Sequence, residues 1–200
     1  MAKPIHSVIY IPGIGDTKTT FQEIAAKSWR FWGVRPHTFP MRWADQQPFE
    51  PKFQRLLAYI DDLLAQGHLV SLVGASAGAT VALNAFAARP QIHGVVCIAG
   101  KVNRAHAIGA WYHQNASSFV ESAYQAQDSV LSLTTGQRAR ISSRYAIVDV
   151  IVPRRDSIVP GAQNKTVIGI GHVPTIALQL TVGAPNHLRF LKRLPQNLTE

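Results

Sequence analysis

Apolar residues along this chain follow two rhythms. The first is the short β-branched or aromatic run closed by Pro or Gly. "SVIYIP" (7–12) is such a run and predicts a strand. So do "HLVSLVGA" (68–75), "IHGVVCIAG" (92–100), "RYAIVDVIVP" (144–153) and "KTVIGIG" (165–171), while "VRPHTFPMRW" (34–43) reads as a short irregular strand. The second rhythm has helical spacing. It places Phe21, Ile24, Ala25, Trp29 and Trp32 on one side of 20–32, and Phe53, Leu56, Leu57, Ile60, Leu63 and Leu64 on one stripe of 51–66, with Gly67 as the stop. "SAGATVALNAFAA" (76–88) predicts a helix of small residues that a neighbour approaches closely, and two more helices are expected over 173–181 and 185–193. Short apolar strands separated by helices predict an α/β fold. The expected form is a three-layer sandwich, a mostly parallel sheet of about six strands with helices on both faces.

Residues 101–143 break this rhythm. They hold Trp111, Tyr112, Phe119, Val120, Tyr124, Val130 and Leu131 without a strand. The stretch is read as a helical insertion that completes the core, forms a partial cap, or does both. With no linker, repeat or low-complexity segment, 1–200 reads as a single domain.

Composition narrows the class. A chain that is 46% hydrophobic is globular rather than disordered, and no apolar run reaches the length of a membrane span. The run Val8–Ile11 is too short for a secretory core, so a cytoplasmic protein is expected. The single cysteine, Cys97, lies in a strand and reads as a buried structural thiol. Charge adds one point. Twenty Lys and Arg against eleven acids give +9, which favours weak attraction to anionic surfaces. The basic residues are dispersed and do not alternate with aromatics, so specific nucleic-acid binding is not expected.

The glycines carry the chemistry. "YIPGIGDTKTTF" (10–21) ends a strand with Gly13-Ile14-Gly15, which suits either a phosphate cradle or an oxyanion loop. A Walker loop needs glycine before its Lys-Ser/Thr pair, but Thr17 precedes Lys18-Thr19. A dinucleotide loop needs a third glycine where Lys18 stands. Both phosphate readings lack an essential glycine. "GASAG" (74–78) is a G-x-S-x-G pentapeptide with a predicted strand before it and a predicted helix after it, the context of a nucleophile elbow. Ser76 is therefore the candidate nucleophile, and the bland alternative is a helix N-cap.

A nucleophilic serine needs a base and an acid that orients the base. Of the downstream histidines, His172 follows a strand at once, in "GIGHVP". His187 falls in a helix read as exposed, His93 begins a strand at its wrong end, and His106 and His113 fall in the insertion. Two acids compete. Asp149 sits inside "AIVDVIV", where it would be mid-strand, whereas Asp156 follows that strand on a polar turn. Asp156 is the expected acid and Asp149 the alternative. No Cys/His ligand cluster exists, so no metal and no organic cofactor are implied.

The first strand with its Pro-Gly loop, the G-A-S-A-G elbow, the "DSIVP" turn and the "GHVP" turn, in this order, resemble a compact α/β-hydrolase of the lipase/esterase type. The resemblance spans nearly the whole chain. It implies an oxyanion hole from the backbone N–H groups of Ile14 and Ala77. It also implies a cap over the serine, so Trp111, Tyr112, Phe119 and Tyr124 are expected to line an acyl pocket. The implied activity is cleavage of a small-molecule carboxylic ester or thioester through an acyl-enzyme on Ser76. The alternatives are an amidase or acyltransferase with the same triad, or an idle binding protein on the scaffold. The chain departs from common members in having Pro12-Gly13 rather than His-Gly, Ala75 before the serine, and an apparent lack of two outer strands.

Overall fold

In the computed structural model, described for residues 4–17 and 19–195, six strands form one sheet. Lys18, on which both phosphate-loop comparisons turned, lies outside the described residues. The strands are β1 (His6–Ile11), β2 (Arg35–Thr38), β3 (Leu69–Ala75), β4 (Gly94–Ile98), β5 (Ile141–Val148) and β6 (Gln163–Ile170). Their order is β2-β1-β3-β4-β5-β6, and every neighbouring pair is parallel. The helices are α1 (Thr20–Ser28), α2 (Phe49–Ala65), α3 (Ala77–Ala88), α4 (Ala110–Asn115), α5 (Ser117–Ser132), α6 (Thr135–Ala139), α7 (Arg154–Ser157), α8 (His172–Leu180) and α9 (Ala184–Arg193). A 3-10 turn, Trp29–Trp32, extends α1.

The strand period of two sorts side chains into two cores. Ile9, Ile11, Val70, Leu72, Val95 and Cys97 face α2, α3 and α5. Val8, Tyr10, Val73, Ala75, Val96 and Ile98 face α1, α8 and α9. Both faces of the central strands are therefore apolar and covered, which is why they read as continuous hydrophobic runs. Cys97 is fully buried, and burial pushes its thiol pKa up to about 12, consistent with an inert packing residue.

One strand boundary departs from expectation in a way that matters. The run read as 144–153 is a strand only to Val148. The apolar residues beyond it, Val150 and Ile151, are exposed rather than packed in a core. Their hydrophobicity extended the apparent strand past its last paired residue, Val148 opposite Ile170. Asp149 is thus the first residue beyond the carboxyl end of β5.

The 101–143 segment contains a short 3-10 turn (Ala105–Ala107) and α4, α5 and α6. α5 packs on α3 and α2, burying Phe119, Val120, Ala123, Ala126 and Val130. Much of this segment is therefore core.

Candidate active site

Ser76 sits between the last residue of β3 and the first of α3, with φ 51° and ψ −119°. This is a conformation that side-chain-bearing residues rarely hold, and it costs about 1–3 kcal/mol. The surroundings enforce it. A side chain on Gly78 would collide with the carbonyl of Ile11, so α3 can start hard against the end of β1 only with glycine there. The Ser76 amide donates to the Ile98 carbonyl at 2.9 Å, tying the turn to β4.

His172 opens α8, separated from the end of β6 by Gly171 alone. Its Nε2 lies 2.9 Å from Ser76 Oγ and its Nδ1 lies 2.7 Å from Asp149 Oδ2. Asp149 Oδ1 accepts from the backbone amides of Ile151 and Val152, both at 2.9 Å. Both carboxylate oxygens are thus engaged, and the side chain is 2% exposed. The loops are also tied to each other, since the Gly171 amide donates to the Val148 carbonyl at 2.9 Å.

This arrangement corrects the expected acid. Asp156 does not meet His172. It lies buried on α7, where Oδ2 accepts from Lys101 Nζ at 2.6 Å and Oδ1 from Arg104 Nη1 at 3.4 Å. Its carbonyl also accepts from the amides of Val102 and Asn103, both at 2.9 Å. Asp156 braces the start of the 101–143 segment. A signal for Asp149 was present in the sequence, because a strand running through it would bury a carboxylate among apolar neighbours at heavy cost. Ending the strand at that residue removes the cost.

The Pro12–Gly15 loop passes over the serine: a Cβ on Gly13 would lie 2.7 Å from Ser76 Cβ. Ile14 lines the same cavity as Ser76 and His172. Ala77 is the first residue of α3, where a helical N–H has no partner within the helix. Two residues that sequence reasoning missed hold this loop. Asp16 accepts from the amides of Arg42 at 2.6 Å and Trp43 at 3.2 Å, and the Trp43 indole donates to the Pro12 carbonyl at 3.1 Å. Burial raises the Asp16 pKa, opposed by its backbone hydrogen bonds to Arg42, Trp43 and Met41 and by the Lys52 charge. The only signal for Asp16 was an acid directly after Gly-Ile-Gly.

A cavity of about 530 Å³ opens onto Ser76. Trp111, Tyr112 and Phe119 line it, whereas Tyr124 does not and lies exposed on α5. Phe119 is 5% exposed and contacts the rings of Trp43 and Tyr112 edge-on, so it belongs to cavity wall and core at once. Exposed Trp111, Val150, Ile151 and Val173 add apolar surface to the lining. His106 and His113 are exposed and outside the lining. His93 is buried, 3.0 Å from the Leu191 carbonyl through Nε2. His187 is buried too, against the expectation of an exposed helix face. Among the described residues no cluster of three or more His, Cys, Asp or Glu is placed to hold a metal ion. None of their helices is long and apolar enough to cross a membrane.

No protein-family profile and no curated protein sequence matches the chain. Solved structures do. The esterase domain of a Rhodothermus marinus protein superposes with a TM-score of 0.69 over 96% of this chain and 89% of that one, at 14% identity. A soluble variant of monoglyceride lipase from Saccharomyces cerevisiae gives 0.66 over 97% and 89%, at 13% identity. An N-formylmaleamic acid deformylase from Pseudomonas putida gives 0.59 over 85% and 87%, at 16% identity.

Proposed function

Taking the α/β-hydrolase fold of these structures as its premise, we propose that the chain is a serine hydrolase of carboxylic esters or thioesters. The observation that carries this reading is the hydrogen-bonded series Ser76–His172–Asp149 beneath a strained elbow. Ser76 Oγ attacks the acyl carbonyl as His172 Nε2 takes its proton. Asp149 holds the imidazole with Nδ1 protonated and stabilises the imidazolium that forms. The oxyanion is met by the amides of Ile14 and Ala77, each worth roughly 3 kcal/mol of barrier. The proton on Nε2 passes to the leaving group, and water cleaves the acyl-enzyme by the same route.

The 101–143 segment serves as a partial cap, with Trp111 and Tyr112 on the cavity wall and Phe119 joining that wall to the core. The apolar part of the lining, Trp111, Val150, Ile151 and Val173 among it, suits a hydrophobic acyl group, beside charged Lys101, Arg104, Arg155 and Asp156. The ester and lipid activities in the names of two similar structures support an ester substrate, and the deformylase keeps amide cleavage as the second reading. An idle binding protein would have no need to hold a serine at φ 51° or to close both hydrogen bonds of its histidine.

A fluorophosphonate probe and a series of nitrophenyl esters test the reading. Wild type should be labelled at Ser76 and turn over esters. Ser76→Ala should lose labelling and about 10⁶-fold in kcat while staying folded. Undiminished turnover in that variant, or no labelling of wild type, would overturn it. An anilide series run beside the esters separates the amide reading.

A further inference from the structure

Away from the serine, on the outer flank of the sheet, β5 and β6 hold charges with no counter-charge among the described residues. Arg144 of β5 is 7% exposed. One terminal nitrogen donates to Gln163 Oε1 at 2.8 Å, while Nε is buried with no hydrogen-bond partner. No carboxylate among the described residues pairs with it, and burial lowers its pKa without any opposing acid. The sheet register places Lys165 of β6 directly beside Arg144. Paired residues of adjacent strands point to the same face, so two cations stand side by side, an arrangement that is destabilising by itself.

α8 and α9 complete a groove of about 940 Å³ over these residues. Arg189 and Arg193 line it together with Arg144 and Lys165, and no Asp or Glu does so among the described residues. His187 is 2% exposed, and neither ring nitrogen has a partner at ordinary hydrogen-bond distance and angle. Burial first, and then the Arg144 charge, push its pKa down to about 3, although the backbone of Gln179 pulls slightly the other way. A buried guanidinium ordinarily has a carboxylate or a full set of acceptors, because leaving it unpaired is strongly unfavourable. Here four cations and a neutral imidazole line one groove, with no acid among the described residues to balance them.

We propose that this groove binds an oxyanion, a phosphate or carboxylate group, seated on Arg144 and flanked by Lys165, Arg189 and Arg193. Such a group accepts from Arg144 Nε, separates the two cross-strand cations, and takes a hydrogen bond from the imidazole N–H of His187. A planar guanidinium with a free edge is the residue best shaped for this. The phosphate belongs either to a small soluble ligand or to an anionic lipid headgroup, and the test tells these apart.

Thermal unfolding of the intact chain in a phosphate-free buffer is the baseline. Inorganic phosphate should raise Tm saturably at low millimolar concentration, by about 3–6 °C at a tenfold excess over Kd. Sodium chloride at matched ionic strength should not. Arg144→Met should lose the response, yet melt at or above wild type without phosphate, since an unpaired buried charge has gone. Lys165→Gln should weaken the response severalfold, and it carries the test if Arg144→Met does not fold. Sedimentation with phosphatidylglycerol vesicles but not phosphatidylcholine vesicles, lost in the same variants, assigns the phosphate to a lipid headgroup. A phosphate response without sedimentation assigns it to a soluble ligand. The proposal fails if wild type shows neither a phosphate response nor vesicle binding, or if the variants respond as wild type does.

Discussion

The carboxyl end of the sheet and its outer flank treat buried ionisable groups in opposite ways. Around Ser76 the groups close on one another: Asp149 uses both oxygens, His172 both nitrogens, and Asp156 accepts from Lys101, Arg104 and two amides. Around Arg144 they stay open: its Nε finds no partner, and neither nitrogen of His187 has one at ordinary hydrogen-bond distance and angle. Closure within the chain is what a preorganised reaction site needs, because the groups must already be in place when substrate arrives. Open, buried donors are costly to keep, and they make sense where the partner comes from outside.

The largest effect that could break this comparison lies in the two acids. Asp149→Asn should leave the fold intact and lower kcat on nitrophenyl esters by about 10⁴-fold, since the amide favours the wrong imidazole tautomer. Asp156→Asn should instead cost about 3 kcal/mol of stability by stranding Lys101, with kcat kept within about tenfold. Steady-state kinetics and urea unfolding on both variants check this. If Asp156→Asn is the variant that silences turnover, the hydrogen bond to His172 does not have the role given to it.

The same two acids show how far the sequence could be read. The pattern of apolar runs carried the parallel α/β sheet, because both core faces of the central strands are apolar. The elbow and the "GHVP" turn pointed to Ser76 and His172, which lie 2.9 Å apart, because each stands within two residues of the end of a strand. Asp149 was hidden by Val150 and Ile151, apolar residues that follow the true strand end at Val148 and whose exposure marks a cavity rim rather than a strand. Hydrophobicity alone does not separate those two uses. His187 was misread for the converse reason. A polar residue on an amphipathic helix reads as exposed, and only the packing of α8 and α9 against the sheet shows that it is covered. Asp16 and Trp43 are far apart in sequence, and their joint hold on the 12–15 loop has no local pattern.

A smaller effect sharpens the division of labour within the 101–143 segment. Phe119→Ala should cost about 3–5 kcal/mol, because the ring is buried between Trp43 and Tyr112. Trp111→Ala should cost under about 1 kcal/mol, because that ring is 58% exposed, and should shift the preferred acyl chain length. Tyr124→Ala should change neither the chain-length profile nor kcat, since Tyr124 lies outside the cavity lining. Melting temperature and chain-length profile on the same three variants decide between cap and core. A Trp111→Ala enzyme with a wild-type profile would remove that residue from the acyl pocket.

The mildest perturbation is a pH titration of the open flank. His187 is held neutral in the folded chain with a pKa of about 3, against about 6.5 when unfolded. Below pH 6.5 the unfolded chain therefore binds a proton that the folded chain does not. The stability this residue confers is complete above pH 6.5 and is lost as pH falls toward 3, at about 1.4 kcal/mol per pH unit. His37 and His93 are shifted in the same direction, chiefly by burial, and steepen the wild-type dependence. His187→Gln should flatten the slope of unfolding free energy between pH 6 and pH 4 by about 1.4 kcal/mol per unit, measured by urea unfolding at three pH values. An unchanged slope would mean that the imidazole is charged or partnered in the folded chain. The comparison sharpens if phosphate is added to wild type. An anion beside the ring favours imidazolium, raises the folded pKa and flattens the slope without any substitution.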